Sequence, residues 1–431
     1  MLLNQRTRAA ILSALSLSAL LGLSACDDGP PKIDGGTTNM LRFEKYCDLE
    51  GFSAPLRDTF VVIDSAVLEG ASTGNEFVES NRWIRDTVLN LADPANAIAR
   101  STAAVRERVT IMLTSEGGSA ATPLFTGCIP GYTAEEVAQK RNESGAVTDF
   151  FGGGVSEEVE SDTETYRTSL VGALINAGKK KAAAGEGSKG GGSGGFLASL
   201  TSSVGLLETT SNVPRFVLIT RLAKGPLATE EPSREKGIEA GRAVDSPFTG
   251  GDIVIVTEDP VPEAQRGFVE GYFLAQDARL IYIGAADVGS LPAAPTTIHR
   301  FAGDAIYPDG PGAVQIRVAT DTNGKLVSSW LFLRHGDESS IPVDGQAVCA
   351  DGECSIRSVE NGFSQIWSPS RGGEPVFSED LPFGGLRNLE VTFDDESLKG
   401  RIFDPLIEKV GPGPDDKDIP LRAKFVENAN F

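Results

Sequence analysis

Few residues in this chain have the type and spacing that chemistry needs. The stretch FVVIDSAVLEG (60–70) runs apolar residues into Asp64 and then a loop. Buried strands of α/β sheets open ligand or metal sites in this way. Glu258 and Asp259 follow a second apolar run, DIVIVT (252–257), and therefore belong to the same end of such a sheet. Another carboxylate pair, Asp394 and Asp395, stands where turn chemistry places Asp in any case. Hydrolytic machinery is thin: the two histidines, His299 and His335, lie outside the part of the chain that carries Asp64. With two histidines and no CxxC, a zinc site is not expected. A literal GxGxxG occurs at 185–190, inside the low-complexity run KKKAAAGEGSKGGGSGG (179–195). It follows a helical pattern and lacks the preceding strand of a dinucleotide site, so it reads as a surface insertion. The sequon Asn142-Glu143-Ser144 reads as chance.

The elements that must position Asp64 alternate between β and α patterns. Strands are predicted at 60–64, 109–113, 215–220, 252–257 and 279–285, all rich in Val and Ile with little polar alternation, as in strands buried on both faces. Helices are predicted between them. One carries Phe77, Ile84, Val88 and Leu91 on one stripe; another, opened by a capping box from Ser161 to Glu164, carries Tyr166, Leu170, Leu174 and Ala177. A third spans PEAQRGFVEGYFLAQDA. This order predicts an open, mainly parallel sheet with helices on both faces over 57–289. After the linker composition LPAAPTT the pattern changes, and 290–431 reads as an antiparallel β-sandwich or barrel with hairpins at Asn323-Gly324 and DDES (394–397). Trp330, Phe332, Phe363 and Trp367 alternate with polar residues there and read as core aromatics, an exposed glycan or peptide platform being the other reading.

Five cysteines are present. In QAVCADGECSIR an Asp351-Gly352 turn would set Cys349 and Cys354 opposite each other, within disulfide reach. Cys47 and Cys128 pair by elimination once Cys26 is set aside. With 60 acidic and 39 basic residues the formal charge is −21, which repels nucleic acid and anionic surfaces. The length of 431 residues suggests two domains.

The N-terminus supplies the most specific signal. Arg6 and Arg8 precede the apolar run 9–23, and Leu23-Ser24-Ala25-Cys26 resembles the lipobox of bacterial lipoproteins. The resemblance implies a signal peptide over 1–25, a lipidated Cys26 and a periplasm-facing protein held at a membrane by its acyl chains. Asp27 resembles an inner-membrane retention residue, and the choice of membrane stays open. Residues 26–56 then read as a tether, by the composition DDGPPKIDGGTT.

A strand ending in Asp at the start of an open sheet also resembles the von Willebrand factor A fold, over about half the chain. That family often holds a cation with DxSxS, a later Thr and a later Asp. Here Ala66 and Leu68 replace both hydroxyls of DxSxS, and Arg221 stands where the later carboxylate belongs. Thr163 or Thr165 is the candidate for the remaining hydroxyl. The resemblance therefore implies a metal-free version, with strands 60–64 and 215–220 adjacent and Asp64 paired to Arg221. No cofactor is expected. Asp64, Arg221, Glu258 and Asp259 form the one polar edge, and the expected role is non-enzymatic interaction or assembly with other envelope proteins. The alternatives are an envelope hydrolase and a solute- or glycan-binding lipoprotein using the same edge.

Overall fold

The Val- and Ile-rich runs form the middle of a six-stranded sheet in a computed structural model. It describes residues 43–47, 56–68, 74–92, 106–115, 118–132, 134–144, 155–184, 199–200, 202–203, 213–222, 231–244, 248, 250–276, 278–284, 295–308, 310–321, 323–327, 329–335, 337–343, 345–358, 388–403 and 418–426. The expected signal segment with Cys26, the glycines of 185–190, Phe363 and Trp367 lie outside the described residues. Strands β1 (Leu56–Ile63), β2 (Arg106–Leu113), β3 (Thr122–Cys128), β4 (Arg215–Ile219), β5 (Asp252–Val256) and β6 (Arg279–Gly284) stand in the order β3-β2-β1-β4-β5-β6. All pairings are parallel except that of β2 with the edge strand β3. The expected adjacency of β1 and β4 is present, with Phe60 opposite Phe216.

Each central strand feeds two cores, which is why its sequence lacks alternation. One face sets Val61, Ile63, Val109, Ile111, Val217 and Val254 against three helices: α1 (Asn75–Ser80), α2 (Arg82–Ala92) and, beyond α3 (Ala134–Ser144), α4 (Val155–Ala184). Of these, α1, α2 and α4 contribute Phe77, Ile84, Val88, Leu91, Tyr166, Leu170 and Leu174. The other face buries Phe60, Val62, Phe216, Leu218, Ile253 and Ile255. After α5 (Arg234–Arg242), helix α6 (Glu263–Leu274) covers that face with Phe268, Val269 and Phe273.

Several expectations shift. The run 77–92 breaks at Asn81, whose side-chain amide donates to the Phe77 carbonyl and competes with the helix. Helix α4 begins six residues before Ser161 and continues through Ala184, so the expected capping box is helix interior and 179–184 is helix rather than insertion. There the Ser161 carbonyl accepts from Thr165 Oγ1. Part of the expected tether is packed: Phe43 and Tyr46 are fully buried, Phe43 lies edge-on to Tyr166 at 5.0 Å, and Tyr46 Oη donates to Asp162 at 2.8 Å. Helix α5 was not expected, because its face is made of glycines. A Cβ on Gly237 would lie 2.0 Å from the Phe268 carbonyl oxygen of α6, and one on Gly271 would lie 2.4 Å from that of Arg234. Backbone contact replaces side-chain contact along this helix pair.

The remaining strands are β7 (Thr297–Tyr307), β8 (Gly310–Thr320), β9 (Trp330–His335), β10 (Asp337–Pro342), β11 (Ala347–Ala350), β12 (Glu353–Ser358), β13 (Asn388–Phe393), β14 (Ser397–Phe403) and β15 (Ile419–Phe425). They make one antiparallel sheet in the order β10-β9-β8-β7-β15-β14-β13-β12-β11, curled into a half-barrel around Phe301, Ile316, Leu331, Val391 and Leu421. Of the expected forms this is the barrel-like one. Both expected disulfides are present, Cys47–Cys128 with Cα atoms 5.4 Å apart and Cys349–Cys354 at 4.0 Å. The second closes the β11–β12 hairpin, whose turn residues Asp351 and Gly352 both have the positive φ of a two-residue turn. Trp330 and Phe332 are buried and pack with Leu274 of α6, so the platform reading fails for these two.

The two sheets belong to one unit, Thr38–Phe431, and are joined by buried charge. Asp252, at the start of β5, accepts from Arg57 of β1 at 3.1 Å and from Arg317 of β8 at 2.8 Å. Arg317 also donates to the Gly250 carbonyl at 2.6 Å and lies over the Trp330 ring, 5.5 Å from its centroid. Arg279 of β6 donates to the Ser329 carbonyl at 2.6 Å. Asp252→Ala would strand two buried guanidiniums together, and breaking a buried pair typically costs ~3–5 kcal/mol. Chemical denaturation should register a loss of that order; a variant within ~1 kcal/mol of wild type would show that the carboxylate does not hold the sheets together.

Candidate functional site

The strand order reverses between β1 and β4, and ligands of open α/β sheets bind beside the carboxyl ends of strands at such a switch point. Register decides which side chains meet there. Ile63 lies opposite both Leu113 and Ile219, and Ile219 lies opposite Val256. The next residue of each strand therefore forms one row: Thr114, Asp64, Thr220, Thr257. All four are buried. Asp64 Oδ2 accepts from Thr220 Oγ1 at 2.9 Å, while Oδ1 accepts from the Ala66 amide at 3.0 Å and caps the short 3-10 turn Ser65–Val67. Thr114 Oγ1 accepts from the Ser65 amide at 3.1 Å, and Lys181 of α4 donates to the Leu68 carbonyl.

Register puts Thr220 opposite Asp64 and moves Arg221 one position outward, opposite Glu258 of the neighbouring chain segment. Arg221 Nη2 donates to Glu258 Oε2 at 2.8 Å, with the two side chains 29% and 42% exposed. Thr257 Oγ1 donates to the Asp259 carbonyl at 2.7 Å and shapes the turn after β5. The four expected edge residues are thus brought to one end of the sheet in two layers. Asp64 is below, held by hydroxyl and amide donors; Arg221 and Glu258 are above, joined to each other, with Asp259 beside them. The hydroxyl row was missed, although its signal is in the sequence: TIMLT, FVLIT and IVIVT each end in Thr, as FVVID ends in Asp.

Chemically the lower layer is a single carboxylate flanked by hydroxyls. Val67 and Leu68, from the loop after β1, are buried apolar residues. Thr165 is spent on a helix carbonyl. Among the described residues no three His, Cys, Asp or Glu side chains gather in a way that could hold a metal ion. The histidines lie in the second sheet and pack against rings. His335 stacks on Tyr307 with centroids 4.1 Å apart, and His299 stacks on Phe301 at 6.3 Å. Asp394 Oδ1 accepts from the amides of Glu396 and Ser397, hydrogen bonds that hold its carboxyl below the usual range, so this pair serves a turn. Asn142 is exposed within α3. No family model matches the chain, and no curated protein matches it.

One carboxyl away from this edge is set to titrate near neutrality. Burial on α6 pushes Glu270 up from 4.5 to about 7, against the opposing pull of Arg234 and Arg266. Because the folded value lies above the unfolded one, stability is fully present below about 4.5 and is lost as pH rises through about 7. At about 1.4 kcal/mol per pKa unit the loss is at most about 3 kcal/mol. Glu270→Gln should therefore melt higher than wild type at alkaline pH and lose that advantage in mild acid; a pH-independent difference would contradict the burial account. At the edge itself, Thr220→Val leaves one Asp64 oxygen without its buried donor and should cost ~1–3 kcal/mol. Arg221→Ala removes the partly exposed pair with Glu258 and should cost ~0–1 kcal/mol. Denaturant titration of both variants checks the order; the reverse ranking would make Arg221 more important to this edge than the Thr220 hydroxyl.

Proposed function

We propose that this protein is a bacterial envelope lipoprotein, anchored through Cys26, whose A-domain-like half presents the carboxyl edge of β1, β4 and β5 to another envelope protein. The observation that carries the reading is the two-layered edge. Its one buried carboxylate is consumed in hydrogen bonds that fix the loop after β1, and its outer charges, Arg221 and Glu258, sit partly exposed and paired. A partner of complementary charge gains by exchanging that pair for its own, with little change to the fold beneath. A general acid or base needs a carboxyl aimed at substrate with a tuned pKa, and Asp64 is turned inward to Thr220 instead. The strand order supports the comparison with A domains: the switch point lies between the strand that ends at Asp64 and the one that ends at Thr220. Two disulfides support an oxidising compartment. Among the described residues no helix is long and apolar enough to cross a membrane.

Two experiments test the reading separately. Cys26→Ser should leave the protein unprocessed or released; a variant that matures and still sediments with membranes refutes the lipid anchor. For the edge, cross-linking in the native envelope is compared between wild type and the charge swap Arg221→Glu with Glu258→Arg. The swap keeps the internal pair and should abolish the cross-linked species. Unchanged cross-links place the contact elsewhere. Millimolar Mg2+ should leave the wild-type melting temperature unmoved, and a rise that disappears in Asp64→Ala would overturn the metal-free edge.

A further inference from the structure

The two cystines differ in their surroundings. Cys47 is half-buried and Cys128 is fully buried. Cys349 is exposed and Cys354 half-buried, on the β11–β12 hairpin, whose residues Ala350 to Glu353 are exposed as well. Strand β11 is four residues long and stands last in the nine-stranded sheet, beside β12. Its start is pinned from a second side. The Ala347 amide donates to the Gly324 carbonyl at 2.8 Å, the Leu326 amide donates to the Gly345 carbonyl at 2.9 Å, and Lys325 bridges Gln346. Past Ala347 the strand is held to β12 by its ladder pairs, the Ser355 hydroxyl on the Val348 carbonyl at 3.4 Å, and the cystine. Val348 is 63% exposed there.

Thiol–disulfide exchange runs at a rate set in part by access to the sulfur attacked, and exposed cystines are the labile ones. We propose that Cys349–Cys354 is a reversible redox site for an external dithiol, and that its reduction loosens the outer end of the hairpin while Cys47–Cys128 stays closed. A thiolate of the dithiol attacks Cys349 Sγ, on the more exposed residue. The bond to Cys354 Sγ breaks, and that sulfur leaves and takes a proton. The second thiol, deprotonated, then attacks the dithiol's own sulfur in the mixed disulfide. It closes the dithiol into a disulfide and frees the Cys349 sulfur, which is protonated in turn. Two electrons pass from the dithiol to the cystine, and two protons end on the cysteines. The rest of the fold tolerates this, because the bond spans five positions and its loss releases little chain freedom, against 81 positions for Cys47–Cys128.

Dithiothreitol serves as the dithiol in the test, added to the full chain without denaturant. Free thiols are alkylated at intervals and mapped by mass spectrometry. Cys349 and Cys354 should become alkylated at least about tenfold faster than Cys47 and Cys128. Hydrogen exchange of the protein reduced at the hairpin alone should quicken by about tenfold or more at 348–353 and stay unchanged in β13 and β14. The double variant Cys349→Ser with Cys354→Ser should show the same exchange pattern with no reductant present. Removing the dithiol under air should restore the cystine and the slow exchange. The proposal is overturned if Cys47–Cys128 opens first or at the same rate. Equal hairpin exchange in the two redox states overturns it too, as does failure of the cystine to re-form.

Discussion

One carboxylate holds the architecture together. Asp252 opens the central strand β5, yet its two oxygens point away from the ligand edge, one to Arg57 and one to Arg317. Around it the two sheets share a seam in which Arg317 reaches the Gly250 carbonyl and lies over Trp330, which clusters with Phe332 and Leu274. A buried ion pair contributes little net stability compared with well-packed apolar residues, because desolvation consumes most of the attraction. What it supplies here is placement. Guanidinium and carboxylate meet in few geometries, so Arg317 fixes where β8 sits against β5 more narrowly than apolar contact would.

This arrangement separates two tasks by strand polarity. The amino ends of β1, β4 and β5 carry Arg57, Arg215 and Asp252, all buried and committed to the fold. Their carboxyl ends carry Asp64, Thr220 and Thr257, and then the partly exposed Arg221 and Glu258. Substitutions at the outer layer of the carboxyl end leave both cores and the seam intact. The edge is free to vary in what it contacts while the amino ends keep the two sheets together.

The sequence was legible where one periodicity dominated. The five parallel strands are apolar on both faces and stand out without alternation. The hairpin cystine followed from a two-residue turn and the geometry of facing pairs. Strand β3 escaped because TPLFTGC mixes polar residues with a proline, and it is an edge strand that pairs on one side only. Helix α5 escaped because REKGIEAGR packs through backbone at Gly237 and leaves no apolar stripe to read. At the site, Asp64 and its edge were legible and Thr220 was not: only the register shows it opposite Asp64. The seam was not legible at all. Arg57, Asp252 and Arg317 are each an unremarked polar residue at or within a strand, Asp252 lying 195 positions from Arg57 and 65 from Arg317, and nothing local marks them as neighbours.

The cystine between Cys47 and Cys128 also sets how the protein answers a mechanical load. A pull applied ahead of Phe43 first meets a buried ring, the Tyr46–Asp162 contact and the Lys45–Asp162 ion pair, and then a covalent crossing to the end of β3. The span between the two cysteines, 81 positions apart, holds β1, α1, α2, β2 and all of β3 but Cys128; it is bypassed and cannot lengthen. Tension therefore arrives at the sheet through its antiparallel margin rather than by peeling β1 from the centre. The strand that carries Asp64 is shielded from force by a bond, and the edge keeps its shape while the body is tugged.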